Sequence, residues 1–316
     1  MARELRVAGG QVLWAVGNGE DSGSHLAGAG RVVGAHLRRL RKDRGLRLVD
    51  VVEAGLIGSA PTLSRLENGE SPLKPDRVLS LAKFYGVTDP EQLESLERLA
   101  SRSQDTQWWE EFRDAIPGWL ERLISVEASA QEIRTYEVQY VPGLLQTAEY
   151  ARALMKHALP GTSAEDAERQ LLKRDRAVRV RQNRRNVLHD ASAPDYYALV
   201  DEAVLARPVG GAAVMRMQLR ELYSLEENMG NVHIRVLPFS AGDEAMAPAP
   251  SITYLSFPTH REVDMVYLEV RNGGSYLTNP EDVDRYRLVL TSLWHKAADR
   301  EQTLKLLKGY IHKLSG

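Results

Sequence analysis

The chain has 316 residues, of which 43% are apolar and 27% are charged, and its formal net charge at pH 7 is −2. This balance is typical of a soluble protein large enough for two domains, and it excludes a general polyanion binder. The absence of cysteine excludes disulfides and thiolate metal sites, and no apolar run approaches the roughly 18 residues that a membrane helix needs. We therefore expect a cytoplasmic protein without membrane contact, resident metal or cofactor.

The N-terminal segment differs in composition from the rest of the chain. Residues 1–30 contain seven glycines and little periodicity, which predicts a flexible arm, with a short strand at 11–16 as the alternative. Positive charge is concentrated just after it, in a run that is opposed only by Asp43. The run comprises Arg31, Arg38, Arg39, Arg41, Lys42, Arg44 and Arg47. Such a concentration is typical of a surface that faces phosphates.

Residues 31–100 are predicted to form an all-α domain of five helices. In the first helix, Val33, Leu37 and Leu40 recur at helical spacing. The other helices are predicted at 48–54 and 60–68, and from Pro75 and Pro90 onwards. Proline favours the first position of a helix, and Asp89 supplies an N-cap for the fifth helix.

The third helix has the pattern of the second half of a helix-turn-helix, the unit that places a short helix in the DNA major groove. Leu63 and Leu66 lie three residues apart, so both belong to the face that packs on the rest of the unit. Ser59 can cap the start of the helix through its hydroxyl. Ser64 and Arg65 then point away from the packed face, towards a duplex.

A polar segment at 101–106 predicts a hinge, and residues 107–316 are predicted to form a larger α+β domain with a mixed β-sheet. Helices are expected at 107–115, 117–134, 145–157, 163–188 and 211–227, and from Pro280 to Leu314. Strands are expected at 196–200, 233–237, 252–256 and 265–270. The helix between the first two strands predicts a parallel βαβ crossover.

Two stretches resemble known families. Residues 31–100 resemble the XRE-type helix-turn-helix domain of the Cro/repressor group, through the motifs 37–42, 45–46, 63–69 and 84–87. Residues 107–316 resemble the C-terminal domain of actinobacterial XRE regulators of the WhiJ-like group. That match rests on the motifs 141–147, 150–152, 201–205, 218–219 and 236–238. The resemblance implies a repressor-like transcription regulator that binds DNA.

The candidate DNA contacts lie on and around the third helix. Arg65 is the best candidate for a base contact, because its fork matches guanine, and a surface ion pair with Glu67 or Glu70 is the alternative. Thr62 and Ser64 either touch DNA or are ordinary polar residues of a helix. The remaining candidates are Arg38, Arg41, Lys42, Ser59, Ala60, Pro61, Asn68 and Lys74.

The remaining candidates have different expected roles. Arg38, Arg41 and Lys42 are expected to neutralise phosphates, with a merely solvated basic face as the alternative. Asn68 and Lys74 flank the exit of the third helix, where phosphate contacts set the register, although Asn68 can equally be a helix stop. Ala60 and Pro61 stand where the family often has glutamine, and they can touch only a thymine methyl.

Three sequence patterns in the second domain each allow a structural and a functional interpretation. The basic run 169–185 is a helix surface paired with acids, or a site for an acidic partner or anionic effector. The loop 141–147 is a structural turn, or part of a ligand pocket. A group of aromatic residues fills a core or an interdomain seam, or forms an effector cage. It comprises Trp108, Trp109, Trp119, Tyr136 and Tyr140.

No catalytic pattern is present. The eight histidines are scattered, and none belongs to an H-E-x-x-H pair. There is also no G-x-S-x-G elbow and no phosphate-binding glycine loop, so we expect no enzymatic activity. The resulting hypothesis is a homodimeric regulator that binds double-stranded DNA and responds to a small-molecule effector or a small partner protein. The alternative is a protein-interaction module, antitoxin-like or sequestering, that uses a helix-turn-helix fold.

Overall fold

The N-terminal region forms the five predicted helices. The computed structural model describes residues 28–69, 71, 73–102, 108–112, 114–115, 118–157, 164–190, 193–242, 247–248, 251–257, 264–270 and 273–315. The helices are α1 (Gly28–Asp43), α2 (Leu48–Glu53), α3 (Ala60–Glu67), α4 (Pro75–Phe84) and α5 (Pro90–Arg102). Residues 1–27, which include most of the predicted arm and its alternative strand at 11–16, lie outside the described residues. Residues 28–30, which the prediction also assigned to the arm, belong to α1.

Local capping explains why these helices begin and end where the sequence predicts. The Ser59 hydroxyl accepts a hydrogen bond from the backbone N–H of Thr62 at 3.3 Å, which caps α3. The Asp89 carboxylate accepts from the N–H of Glu91 at 3.2 Å, which caps α5. Gly69 follows α3 with a φ of +69°, a left-handed conformation that glycine adopts at little steric cost.

The five helices surround an apolar core. Helix α1 packs against α3, α4 and α5, so it supports the buried face of α3. Buried residues come from every helix and include Val33, Leu37, Val51, Leu63, Leu66, Leu81 and Leu96. The helix-turn-helix region is therefore a packed unit and not a pair of isolated helices.

The C-terminal region contains seven further helices and six strands among its described residues. The helices are α6 (Gly118–Glu127), α7 (Ala148–His157), α8 (Ala164–Arg184), α9 (Glu202–Ala206), α10 (Ala212–Asn228), α11 (Pro280–Lys296) and α12 (Arg300–Lys313). The strands are β1 (Glu132–Glu137), β2 (Asp195–Asp201), β3 (Val232–Leu237), β4 (Ser251–Ser256), β5 (Met265–Val270) and β6 (Gly273–Leu277).

The strands form one mixed sheet, as predicted, with the order β3-β2-β1-β4-β5-β6. Strands β1, β2 and β3 are parallel, and β4, β5 and β6 continue the sheet with antiparallel pairing. Helix α10 joins β2 to its parallel neighbour β3, so the predicted βαβ crossover is confirmed.

Different helices cover the two faces of the sheet. Helix α11 covers one face, where Val283, Leu290 and Leu293 pack with Tyr136 and Ile252. Helices α8, α10 and α12 contribute to the core on the other face, which we call the inner face. The inner core is continuous with the N-terminal core, and α6 packs directly against α1. The two regions thus share one apolar interior.

The structure corrects or refines the predicted secondary structure at four places. The helix predicted at 117–134 ends at Glu127, and its last residues belong to β1, the central strand of the sheet. Strand β6 was not predicted. The helical sequence predicted from Pro280 to Leu314 forms two helices, because the Asp299 side chain caps α12 in a capping box with Gln302. The described part of 107–115 contains only one 3₁₀ turn, Glu110–Phe112.

Candidate nucleic-acid interface

Helix α3 presents one buried and one exposed face. Leu63 and Leu66 are buried in the core, whereas Arg65 between them is exposed. Among the described residues, Arg65 forms no hydrogen bond and no ion pair, and one acid considered as its partner, Glu67, is bound elsewhere. The other, Glu70, lies outside the described residues. The guanidinium of Arg65 therefore projects from the unit.

Arg41 is buried and paired with Glu67, so the prediction that it contacts phosphate is wrong. The two side chains are 8% and 2% exposed. Nε and Nη2 of Arg41 donate to the two carboxylate oxygens of Glu67 at 2.7 and 2.9 Å. Its Nη1 donates to the carbonyl of Leu46 at 2.6 Å. Hydrogen bonding to Glu67 raises the pKa of Arg41, and the group ties α1 to α3 inside the unit.

The structural role of Glu67 was missed, although the sequence carries a signal for it. Glu67 follows Leu63 by four residues, so it lies on the same apolar face of α3. Arg41 stands four residues after Leu37, on the buried face of α1. A buried charge is costly unless it is paired. Two opposite charges on two apolar faces therefore indicate a buried pair.

Two predicted contacts are brought together at the exit of α3. Nη1 of Arg38 donates to the side-chain oxygen of Asn68 at 3.2 Å, and both residues are exposed. Asn68 also occupies the C-cap of α3, as its alternative role required. Lys42 and Lys74 are exposed as well, the latter at the N-cap of α4. These four side chains form an exposed polar rim, three of them cationic, which we call the basic rim.

The start of α3 contains the least polar of the candidate contacts. Ala60 is half-buried and Pro61 is exposed, and neither side chain has a hydrogen-bonding group. The hydroxyls of Ser59 and Thr62 lie 2.8 Å apart and bond each other. Their observed role is to cap the helix. Ser64 is half-buried beside Arg65.

The basic run on α8 is largely paired with acids. Arg176 bonds Asp114 at 2.8 Å, Arg184 binds both carboxylate oxygens of Glu127, and Arg185 pairs with Glu221. These contacts favour the first reading, a helix surface paired with acids. Arg181 differs, because it forms no hydrogen bond or ion pair with any residue that the structure describes.

The loop 141–147 is structural. Gln218 is fully buried, accepts a hydrogen bond from the N–H of Thr147 at 2.7 Å and donates to the carbonyl of Leu145 at 2.8 Å. The hydroxyl of Tyr150 accepts from the N–H of Val141 at 3.1 Å. The backbone of the loop is thus held by side chains from α7 and α10.

The aromatic group does not form one cluster. The three tryptophans pack in or against the core that the two regions share, and Trp108 and Trp109 meet edge to face with ring centroids 5.7 Å apart. Tyr136 is buried on the opposite face of the sheet. Tyr140 is 46% exposed, so its assignment to a core or seam is wrong.

No group of three or more potential ligands that could hold a metal ion is found in the described ranges. Within the same ranges, every helix is too short or too polar to cross a membrane.

Comparisons with known proteins divide the chain at the same place as the fold. The family model of the domain of unknown function DUF5753 matches residues 120–309, and that of a helix-turn-helix domain matches residues 32–96. A stretch of 61 residues is 46% identical to the HTH-type transcriptional regulator DdrOP3 of Deinococcus deserti. This match covers 19% of the chain and 46% of that protein, so it spans about half of the relative's length. No solved structure gives a significant match.

Proposed function

We propose that this chain, which belongs to the family of the domain of unknown function DUF5753, is a sequence-specific DNA-binding transcriptional regulator. The observation that carries the proposal is that the charged residues around α3 are divided between a buried ion pair and an exposed basic surface. The one ion pair between α1 and α3 in the described residues is turned inwards, between Arg41 and Glu67, whereas Arg65 and the basic rim remain exposed. Similarity to a helix-turn-helix domain and to a transcriptional regulator supports the same function.

Within this proposal, base and phosphate contacts fall to different side chains. Arg65 reads guanine through its two parallel N–H donors. Arg38, Lys42 and Lys74 neutralise phosphates, and Asn68, held by Arg38, sets the register of the helix exit. At the start of α3, Ala60 and Pro61 offer only apolar contact to a thymine methyl, with Ser59, Thr62 and Ser64 beside them.

We further propose a homodimer. An eight-residue helix reads few base pairs, so two copies on half-sites about 34 Å apart are needed for operator specificity. The C-terminal domain is expected to hold the copies together and to receive the signal, from a small molecule or a small partner protein. Its contact through α6 with α1 gives such a signal a path to the DNA-binding unit. Membership of the WhiJ-like group and a cytoplasmic location belong to the same proposal.

The test is a titration of the full chain against the DNA upstream of its own reading frame, with a scrambled duplex as control. Binding is measured at several salt concentrations. The proposal predicts salt-sensitive binding and a preference for the native duplex of about a thousandfold or more. Equal affinity for both duplexes contradicts it.

One observation favours a second candidate, a protein-interaction module. The first turn of α3 carries Ala60 and the exposed Pro61, and such apolar groups suit a protein partner as well as a thymine methyl. The same titration separates the two candidates. Weak binding without sequence preference, together with a partner retained on the immobilised full chain and lost in Pro61→Ser, supports the interaction module.

A further inference from the structure

One end of the inner face of the sheet carries a row of polar residues, of which Glu137 and Ser251 are half-buried and Glu269 is exposed. Glu137 on β1 pairs with Ser251 on β4, and Ile252 pairs with Leu268, which places Ser251 beside Glu269 on β5. Residues directly opposite each other share a face of the sheet. The Glu137 carboxylate accepts a hydrogen bond from the Ser251 hydroxyl at 2.8 Å. Two carboxyl groups thus flank one hydroxyl across three strands, whose outer members lie about 10 Å apart.

Helix α8 places two guanidinium groups over this row. Arg181 and Arg184 lie three residues apart, so they share one face of the helix. Arg184 is neutralised by Glu127, the last residue of α6. Arg181 is half-buried and has no bonded acid among the described residues, and its strongest electrostatic neighbours are Arg184 and Glu269. Within this group, Arg181, Glu137 and Glu269 therefore have no ion-pair partner among the described residues.

A buried hydroxyl next to the row also lacks a partner. Tyr267 is 1% exposed, and within the described part of the chain its hydroxyl forms no hydrogen bond. Its ring lies between Trp119 and Tyr276, at centroid distances of 6.4 and 5.0 Å. A Cβ on Gly274 would lie 2.0 Å from this ring, so glycine is required for the ring to rest there.

The electrostatics agree with this geometry. Burial raises the pKa of the half-buried Glu137 to about 8, and partial desolvation raises the pKa of Glu269, although its side chain is exposed. Burial and the neighbouring Arg184 lower the pKa of Arg181. Each group is therefore held in surroundings that disfavour its charged form. Folding alone does not require such groups, and polar groups with perturbed pKa values collect at binding sites.

We propose that Glu137, Glu269, Arg181 and the Tyr267 hydroxyl form a binding site for a small zwitterion of the amino-acid class. The ammonium group donates to the carboxyl groups of Glu137 and Glu269 over Ser251, and the proton that Glu137 holds in the free chain is released when the ligand binds. The carboxylate of the ligand pairs with Arg181 through two parallel N–H donors. The Tyr267 hydroxyl completes the hydrogen bonding.

The site also lies next to the contact between the two regions, which α6 and α1 form. Glu127, bonded to Arg184, ends α6, and α6 packs against α1, which holds α3. A ligand that pairs with Arg181 changes the charge beside this ion pair. This consequence rests on the proposed DNA-binding function, whereas the binding site itself does not.

The experiment uses the full chain and measures its melting temperature with each standard amino acid at millimolar concentration. Acetate and putrescine serve as probes that carry only one kind of charge. We expect at least one amino acid to raise the melting temperature by on the order of 2 °C, and neither single-charge probe to do so. No shift with any amino acid overturns the proposal, as does an equal shift with acetate or putrescine.

Variants then locate the binding. Arg181→Met and Glu269→Gln are expected to weaken the effective amino acid by roughly 10- to 100-fold, because each removes one charge-assisted contact. The matched controls are Arg179→Met, exposed on the same helix, and Glu149→Gln, exposed on α7, and both should bind as the original chain does. Unchanged binding in the first pair of variants overturns the site.

Operator affinity is measured separately, with and without the effective amino acid. If the full chain binds no operator DNA with or without the amino acid, the regulator function is refuted, but the melting-temperature result still supports the binding site. A melting shift without any effect on operator affinity supports the site and refutes only its coupling to DNA.

Discussion

The two regions of the molecule treat their internal charges in opposite ways. In the N-terminal unit, Arg41 and Glu67 are buried together and satisfy each other through two short hydrogen bonds. In the C-terminal domain, the half-buried Arg181 and Glu137 and the exposed Glu269 lie over one face of the sheet, and none of them has an ion-pair partner among the described residues. Paired burial fixes the position of α3 on α1. Half-burying Arg181 and Glu137 without an ion-pair partner weakens the fold, which is expected where a site is kept for a ligand.

Breaking the buried pair gives the largest expected effect. Glu67→Gln leaves the guanidinium of Arg41 without its counter-charge in the core, so the free energy of unfolding of the N-terminal unit should fall by about 3–5 kcal/mol. Urea denaturation followed by circular dichroism measures this change. The pair Arg98–Glu94 has the same N···O distance of 2.7 Å but side chains that are 51% and 67% exposed, so Glu94→Gln is the matched control. Its effect should stay below about 1 kcal/mol, and equal effects would contradict the assignment.

A satisfied polar group in the C-terminal domain sharpens the comparison. Gln218→Leu leaves the N–H of Thr147 and the carbonyl of Leu145 without their buried partner. Each unsatisfied group costs about 1–3 kcal/mol, so we expect a loss of about 2–4 kcal/mol in the free energy of unfolding. Thermal and urea denaturation measure it. Gln139→Leu, at an exposed position, is the control, and a loss of the same size there would show that added hydrophobicity is the cause.

The unpaired carboxyl of Glu137 should destabilise the folded chain as pH rises. Its pKa of about 8 when folded lies above the value of 4.5 for a free glutamate, so the folded state holds a proton that the unfolded state has released. Its contribution to stability therefore falls between pH 4.5 and about 8 by at most about 1.4 kcal/mol per pH unit. Ser251, Glu269 and Arg184 are the groups that act on this carboxyl.

Glu137→Gln isolates this contribution. The stability of the variant should exceed that of the original chain by a margin that widens from pH 5 to about 8 and is constant above it. Melting curves over this range measure the margin, with Glu149→Gln as the control that should show none. A margin that is constant from pH 5 upwards would mean that Glu137 ionises normally in the folded chain.

The basic rim gives the smallest expected effect. Lys42→Gln removes one proposed phosphate contact, so the slope of log affinity against log salt should decrease in magnitude by about 0.9, with little change in sequence preference. Fluorescence anisotropy at several salt concentrations measures the slope. Lys305→Gln on α12 is the control. An unchanged slope in Lys42→Gln would remove Lys42 from the interface.

The sequence predicts the N-terminal unit well because its signals are local. The caps Ser59 and Asp89 and the prolines at 75 and 90 fix helix starts without reference to distant residues. The predictions for Arg41 and Glu67 fail, because nothing within the basic run marks Arg41 as the position that faces the core.

The C-terminal domain is less predictable because its signals are long-range. Strand β1 carries Glu132, Arg134 and Glu137, charges that suit a helix surface, and it becomes the central strand only because β2 and β4 pair with it. Likewise, Glu137, Arg181 and Glu269 are far apart in the chain. Only the strand order and the position of α8 bring them together, so no local pattern indicates the site.

The proposed DNA-binding function depends most on Arg65 as the residue that reads bases. The direct measurement is the ratio of affinities for the native upstream duplex and its scrambled form, determined for the full chain, for Arg65→Gln and for Arg98→Gln as an exposed control on α5. Loss of a bidentate base contact should lower the ratio by roughly 5- to 150-fold in Arg65→Gln and leave it unchanged in the control. A ratio that Arg65→Gln does not alter, with its melting temperature also unaltered, would contradict this role.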